Sequence, residues 1–264
     1  MQKPSIVLCF SGHDPSGGAG IQADQAAIHN LGAHCASVIT ALTVQNTANV
    51  LNFTPTAAEL VIQQADALAA DMPIHAIKIG MIGSLANVEA ICQWLKRHPK
   101  IPVIVDPVTI ASGGGKLGYD AIIKAINEQL MPYTTIVTPN AIEARQLAQS
   151  DTLSECAKIL SSYGCEYVLL KGTHEPTENV LNLLYNQQGL IETYTWPRLP
   201  QNYHGSGCTL ASSIAALLAQ DKTMIAAVAA AQAYTWQCLA HAYQPGRAQH
   251  VPNRWYLGHC SFEE

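Results

Sequence analysis

The sequence predicts an α/β protein in which helices cover both faces of a mostly parallel sheet. Three observations carry that reading: short runs rich in β-branched residues alternate with longer amphipathic stretches, each run stops at glycine, proline, asparagine or a lone charge, and most runs are apolar throughout, as strands buried on both faces are. Strands are expected at Ser5 to Phe10, Ala36 to Leu42, Ile74 to Ile79, Pro102 to Val105, Thr135 to Val137 and Tyr167 to Leu170. Between them, helices are expected at Ile21 to Leu31, Ala57 to Ala70, Ala86 to Lys96, Ala121 to Leu130, Ala141 to Ala148 and Leu153 to Tyr163. Right-handed crossovers distribute such helices over the two faces. After Lys171 the rhythm changes, and Val180 to Tyr185 with Leu190 to Trp196 flank a glycine-ended turn, which reads as an antiparallel hairpin. Helices at Gly207 to Gln220 and Thr223 to Ala242 close the pattern. No linker, repeat or low-complexity tract interrupts it, so residues 1–264 read as a single domain.

Composition narrows the partners. A chain of 264 residues with 48% apolar side chains can bury a large core. A net charge of -5 without any lysine or arginine run argues against nucleic acid. The eight cysteines (9, 35, 92, 156, 165, 208, 238 and 260) are scattered singly without a CxxC pair, the pattern of reduced thiols in a cytoplasmic protein. No apolar stretch reaches the roughly 18 residues of a membrane span, and Ile6 to Phe10 is shorter than a signal-peptide core, so a soluble, untargeted protein is expected.

In open α/β sheets ligands bind beyond the carboxyl ends of the strands, which makes the residues there the informative ones. The first strand runs into Ser11-Gly12-His13-Asp14-Pro15-Ser16-Gly17-Gly18-Ala19-Gly20, where four glycines allow backbone to approach a ligand. The segment lacks both Gly-Lys-Ser/Thr and G-x-G-x-x-G, so it is neither a P-loop nor a dinucleotide cradle. Asp24 reads equally as an acid complementing the helix dipole. Gln45 offers an amide that can read a nitrogen heterocycle, and Met81 a thioether for a flat ring, although each also has an ordinary loop or core role. Asp106-Pro107 sets a carboxylate just past a buried strand. Asn140 and Glu143 read as a capping box, or Glu143 joins Asp106 around Mg²⁺ and phosphate oxygens. Lys171 is a candidate point charge for phosphate. The sharpest segment is His204-Gly205-Ser206-Gly207-Cys208-Thr209-Leu210, whose consecutive amides at a helix start suit an anion. Cys208 in that positive field is expected to have a depressed pKa and can serve as base or nucleophile, the alternative being an inert buried thiol like the other seven cysteines. His204 is read as structural, and zinc is disfavoured by the absence of ligand spacing.

These motifs, together with Val44-Gln45-Asn46-Thr47, Lys78-Ile79-Gly80-Met81, Val105-Asp106-Pro107-Val108, Thr138-Pro139-Asn140 and Lys171-Gly172, occur in an order that resembles the hydroxymethylpyrimidine/phosphomethylpyrimidine kinases of thiamine biosynthesis, a branch of the ribokinase superfamily. The resemblance runs over about residues 5 to 245. It implies a ribokinase-like three-layer α/β/α sandwich that uses ATP and Mg²⁺ to phosphorylate the hydroxymethyl group of 4-amino-5-hydroxymethyl-2-methylpyrimidine and then its monophosphate. By the same resemblance Gln45 and Asp24 would bond the pyrimidine, with Gly12 and Met81 lining its pocket. Gly205 and Gly207 would form the anion hole, and Cys208 would stand where related sugar kinases carry an aspartate base. Asp106 and Glu143 would accompany magnesium, Lys171, Asp106 and Gly205 would face the nucleotide, and a homodimer is expected.

The sequence also departs from the family pattern. Where many members carry Ala-Lys-Ser-Gly, this chain has Ala111-Ser112-Gly113-Gly114-Gly115-Lys116, which displaces or removes the usual lysine. Asn182 stands where aspartate is common, and Tyr203 where a threonine usually precedes the His-Gly pair. The competing readings are a pyridoxal kinase of the same fold and a pyrimidine-binding sensor without turnover. A nicotinamide-dependent oxidoreductase is disfavoured by the missing dinucleotide fingerprint.

Overall fold

The computed structural model describes residues 3–108 and 120–256; the Ala111 to Lys116 segment and Cys260 lie outside them. The strands are β1 (Ile6–His13), β2 (His34–Gln45), β3 (Val50–Pro55), β4 (Ile74–Ile79), β5 (Val103–Val105), β6 (Ile136–Val137), β7 (Tyr167–Lys171), β8 (Asn179–Asn186) and β9 (Gly189–Pro197). They form one sheet in the order β3-β2-β1-β4-β5-β6-β7-β8-β9. From β2 to β7 neighbouring strands are parallel, whereas β3 and the β8–β9 hairpin pair antiparallel at the two edges. The helices are α1 (Gly20–Asn30), α2 (Ala58–Asp71), α3 (Leu85–Lys96), α4 (Asp120–Ala125), α5 (Ala141–Ala148), α6 (Leu153–Ser162), α7 (Ser206–Leu218) and α8 (Met224–Ala240).

The period of two along each strand divides the core into two layers. On β1, Ile6, Leu8 and Phe10 pack with residues of α2 to α6, whereas Val7 and Cys9 face the layer built from α1, α7 and α8. The same alternation holds on β7, where Val168 and Leu170 join the first layer and Leu169 the second. Strands sandwiched in this way must be apolar on both faces, which is why their runs were conspicuous in the sequence.

Two expectations need revision. β3 was not anticipated, because its residues are half-buried or exposed and carry Asn52 and Pro55, so no apolar run marks it. Its antiparallel pairing with the far end of β2 extends that strand to Gln45, and Gln45 is therefore a strand terminus instead of a turn residue. The helix expected over Ala121 to Leu130 is α-helical only to Ala125 and continues as a π-turn over Ile126–Leu130.

Candidate active site

The parallel strands leave β1 toward β2 on one side and toward β4 on the other, and the crevice beyond this reversal is where open sheets bind ligands. A cavity of about 870 Å³ occupies it. Gly12, Gln45, Met81, Asp106, Glu143, Lys171, Gly205, Gly207 and Cys208 all line that cavity, although they come from seven separate segments. Asp14, His204, Trp196 and Trp236, to which the sequence reading gave no ligand-facing role, line it as well.

One end brings a thioether, an amide and a histidine–carboxylate pair together. The Met81 thioether covers Gly12 so closely that a Cβ there would fall 3.0 Å from Sδ. Gln45 lies beside it, and its side-chain nitrogen is 2.8 Å from His204 Nε2. The same ring nitrogen is 2.8 Å from Asp14 Oδ2. Asp14 also accepts from Ser16 N at 2.8 Å and Ala19 N at 2.7 Å, which moulds the glycine-rich turn around a carboxylate. Burial pushes the Asp14 carboxyl up, but the bonds from His204, Ser16 and Ala19 outweigh it and lower the pKa to about 2. As the donor to Asp14, His204 Nε2 has no lone pair for the Gln45 amide nitrogen, so His204 braces the first glycine turn and only abuts Gln45 at the end of β2.

The middle of the cavity collects charge. Lys171, at the end of β7, lies 3.0 Å from Asp106 Oδ1 just beyond β5. Burial works against charge on Asp106, yet Lys171 and Lys78 hold its carboxyl below the usual value. Asn140 and Glu143 form the anticipated capping box: Asn140 N donates to Glu143 Oε2 at 2.8 Å, while Ile142 N and Glu143 N each donate to Asn140 Oδ1 at 2.9 Å. Burial raises Glu143 to about 7, with the Asp106 charge adding to that and Lys171 opposing it.

The turn before α7 faces this ion pair. Gly205 adopts a left-handed φ of +84°, and a side chain there would run into the Gly18 carbonyl. A Cβ on Gly207 would lie 3.0 Å from Lys171 Nζ and 3.3 Å from Asp106 Oδ2, so the turn presses against the two charges. Cys208 departs from its expectation. Burial raises its thiol to about 12, and the nearby Lys78 charge opposes that only in part. The expected depressed pKa is overturned because desolvation, helped by the Asp106 and Asp24 charges, exceeds the lowering by Lys78.

Asp24 is a second correction. It is wholly buried beneath the floor of the cavity, 2.8 Å from Lys78 Nζ, and accepts from Ser11 Oγ at 2.5 Å and Ser212 Oγ at 2.7 Å. Its oxygens are committed to the scaffold, and the expected bond to a pyrimidine cannot form. Lys78, a charge set between Ile77 and Ile79, was the available signal for such a pair. Asn182 acquires a role too: Oδ1 accepts from Gly172 N at 3.1 Å and Nδ2 donates to Gln232 Oε1 at 2.8 Å. That oxygen also accepts from Trp196 Nε1 at 3.1 Å, so an aspartate at 182 would lose the donor this network uses. Nothing in the structure explains why Tyr203 replaces threonine.

The seven cysteines within the described residues are free and buried. Although isolated in sequence, Cys9 and Cys35 meet across β1 and β2 with 3.6 Å between their sulfurs. Among the described residues no helix is long and apolar enough to cross a membrane, and no group of three or more His, Cys, Asp or Glu side chains could hold a metal.

The sheet order, the crevice at its reversal and the glycine-rich turn at the start of α7 define a small-molecule kinase of ribokinase-like fold. A family model described as phosphomethylpyrimidine kinase matches residues 14–253. The chain belongs to that family. It is 37% identical over 244 residues to the hydroxymethylpyrimidine/phosphomethylpyrimidine kinase of Rhizobium meliloti, covering 90% of this chain and 91% of that protein. To the bifunctional thiamine biosynthesis protein ThiED of Geobacter sulfurreducens it is 36% identical, spanning 50% of that longer protein. Among solved structures, phosphomethylpyrimidine kinase from Clostridium difficile superposes with a TM-score of 0.77 at 30% identity, covering 89% of this chain and 99% of that one. Pyridoxal kinase from Staphylococcus aureus in complex with AMP-PCP and pyridoxal gives a TM-score of 0.86 at 26% identity, covering 97% and 96%.

Proposed function

We propose that the protein is an ATP-dependent kinase that phosphorylates the hydroxymethyl group of 4-amino-5-hydroxymethyl-2-methylpyrimidine and then the resulting monophosphate, acting as a single domain in the cytoplasm. The observation that carries this reading is the continuity of one cavity from the Gln45–Met81–Gly12 end to the Gly205–Cys208 turn and the Asp106–Lys171 pair. The first end suits a flat nitrogen heterocycle, with the Gln45 amide meeting its polar edge. The second suits a transferring phosphoryl group, which asks chiefly for positioning and charge stabilisation. Trp196 and Trp236, stacked with 6.2 Å between ring centres at the far side of the cavity, offer an aromatic wall for the nucleotide's base.

In this reading the amides of Gly207 and Cys208, with the turn at Gly205, receive the charge that develops on the phosphoryl oxygens. Lys171 neutralises phosphate from the other side. With its pKa near 12, the Cys208 thiol is neutral in the resting enzyme, so Cys208 contributes through its amide and shape, not as a preformed thiolate. The donor set fits Mg²⁺: two hard carboxylates at one cavity wall, without a cage of three, suit an ion that keeps waters and shares phosphate oxygens. Asp106 and Glu143 would hold it, where it would offset phosphate charge.

A homodimer is supported by Leu42, Val44 and Leu51, which stand 54%, 57% and 67% exposed on β2 and β3 at one sheet edge. The alternative substrate, pyridoxal, is favoured by the high structural similarity to the Staphylococcus aureus enzyme. The family match and the greater identity to pyrimidine kinases weigh the other way. Incubation with ATP, Mg²⁺ and either vitamin decides the matter. Mono- and diphosphate products of the pyrimidine, with a kcat/KM above that for pyridoxal, are expected; phosphorylation of pyridoxal alone would overturn the assignment.

A further inference from the structure

The segment that follows α8 ends against the Gly18 turn and the first turn of α7. It is fastened there by backbone bonds from His204 N to His250 O at 2.8 Å, His250 N to Asn202 O at 2.9 Å and Asn253 N to Cys238 O at 2.9 Å. Tyr234 donates its hydroxyl to Arg254 O at 2.7 Å. The Arg254 side chain is 1% exposed. Its guanidinium donates from Nη2 to Gly18 O at 2.6 Å and from Nε to Thr209 Oγ1 at 2.9 Å, with Gly205 O at the outer limit of 3.5 Å. These acceptors belong to the glycine turn after β1 and to the first turn of α7, the two turns that flank the cavity.

The arrangement is costly unless something anionic completes it. Every acceptor is neutral, and among the described residues no carboxylate lies within ion-pair distance of Arg254. A buried charge without a counter-ion is strongly unfavourable, and arginine does not escape by losing its proton. Its position is also the wrong one for helix stability, because a cation beside a helix N-terminus opposes the dipole. Packing alone would have been served by a methionine of similar reach. An anion on the amides of the same turn, although on their far side from the guanidinium, offsets part of both penalties.

We propose that Arg254 is a positioning residue of the phosphoryl-transfer site, clamping the Gly18 turn to the first turn of α7 from behind and adding its buried charge to the positive field of the amides that would receive phosphate. The trans peptide makes the clamp directional: a carbonyl held toward the guanidinium turns the next amide the opposite way. Gly18 O is held on Arg254, and Ala19 N accordingly points to Asp14 Oδ2 at 2.7 Å. Gly205 O is turned toward Arg254 and is held by Thr209 N at 2.9 Å and Thr209 Oγ1 at 2.8 Å. That directs the Ser206 amide away from the guanidinium. The inference rests on the reading of the protein as a phosphotransferase.

Arg254→Met and Arg254→Lys test it, with inorganic phosphate as the binding probe and ATP with hydroxymethylpyrimidine as substrates. The wild type should gain melting temperature with millimolar phosphate. Arg254→Met should lose that gain, and its kcat should fall about tenfold to a hundredfold while KM for the pyrimidine stays within about threefold. Arg254→Lys keeps the charge but not the fork, so it should retain the phosphate response with kcat reduced by about fivefold or more. A phosphate response in Arg254→Met equal to the wild type's, or a kcat in either variant within about twofold of it, would overturn the proposal. If Arg254→Met does not fold, Arg254→Lys carries the same decision. A wild type that responds to phosphate yet does not turn over the pyrimidine would reject the substrate reading and leave the melting comparison to judge Arg254.

Discussion

Gly207 is pressed against Lys171: a Cβ added to the glycine would fall 3.0 Å from the lysine nitrogen. The turn before α7 and the charge opposite it are thus set at their distance by the absence of one methyl group. Gly207→Ala should displace Lys171 from its 3.0 Å contact with Asp106 and lower kcat by about tenfold to a hundredfold. Steady-state kinetics with both substrates check this; an unchanged kcat would mean that the turn relaxes freely.

Cys208 is neutral through the physiological range, since burial raises its thiol to about 12. Cys208→Ala should therefore keep kcat within about tenfold of wild type, and the pH profiles of the two should run parallel from pH 6.5 to 9.5, because no thiolate is being titrated away. A loss of about a thousandfold in a folded variant would restore the thiol as the proton acceptor.

Glu143 links stability to pH in a direction opposite to most carboxylates. Burial raises it to about 7, so the folded protein holds its proton more tightly than the unfolded chain. Its contribution is most favourable below about pH 4.5 and is lost as pH rises through 7. Glu143→Gln preserves the acceptor that caps α5 but removes the ionisation. Metal-free, the variant should melt with the wild type at pH 5 and above it at pH 8. Mg²⁺ should raise the wild-type melting temperature at pH 8 more than that of the variant. Parallel melting curves across this range would show that Glu143 ionises normally.

The buried pair of Asp24 and Lys78 makes a stability prediction separate from catalysis. Lys78→Met leaves a carboxylate at 0% exposure without its cation, at a cost of about 3–5 kcal/mol. The double variant Asp24→Leu/Lys78→Met should recover much of that loss. Urea unfolding midpoints measure both, and additive losses would show that the two charges are not coupled.

Gln45 is the proposed reader of the ring. Gln45→Leu should raise KM for the pyrimidine by about tenfold or more with a smaller change in kcat, since the polar edge of the ring is left unpaired. Isothermal titration with the unphosphorylated pyrimidine gives the same answer without turnover, and an unchanged Kd would remove the contact.

The sandwich was legible because strands covered on both faces are apolar over most of their length, so β1, β4 and β7 announce themselves, with Lys78 the charged exception in β4. The capping box at Asn140 and Glu143 was legible for a similar reason, as both of its bonds lie within four residues. β3 was not, because it is held at an exposed edge by its partner strand alone. Among the site residues, local pattern identified the strand-end positions that line the cavity. It could not show that Asp24 lies under the floor, that Lys78 answers it from 54 residues away, or that Arg254 reaches Gly18 across 236 residues. Nor could it weigh burial against field at Cys208, because desolvation depends on how many other segments close over the sulfur. Local patterning is enough to give the layers and the edge where the cavity opens; which polar groups there face the cavity and which hold it open depends on contacts between distant segments, which no local pattern carries.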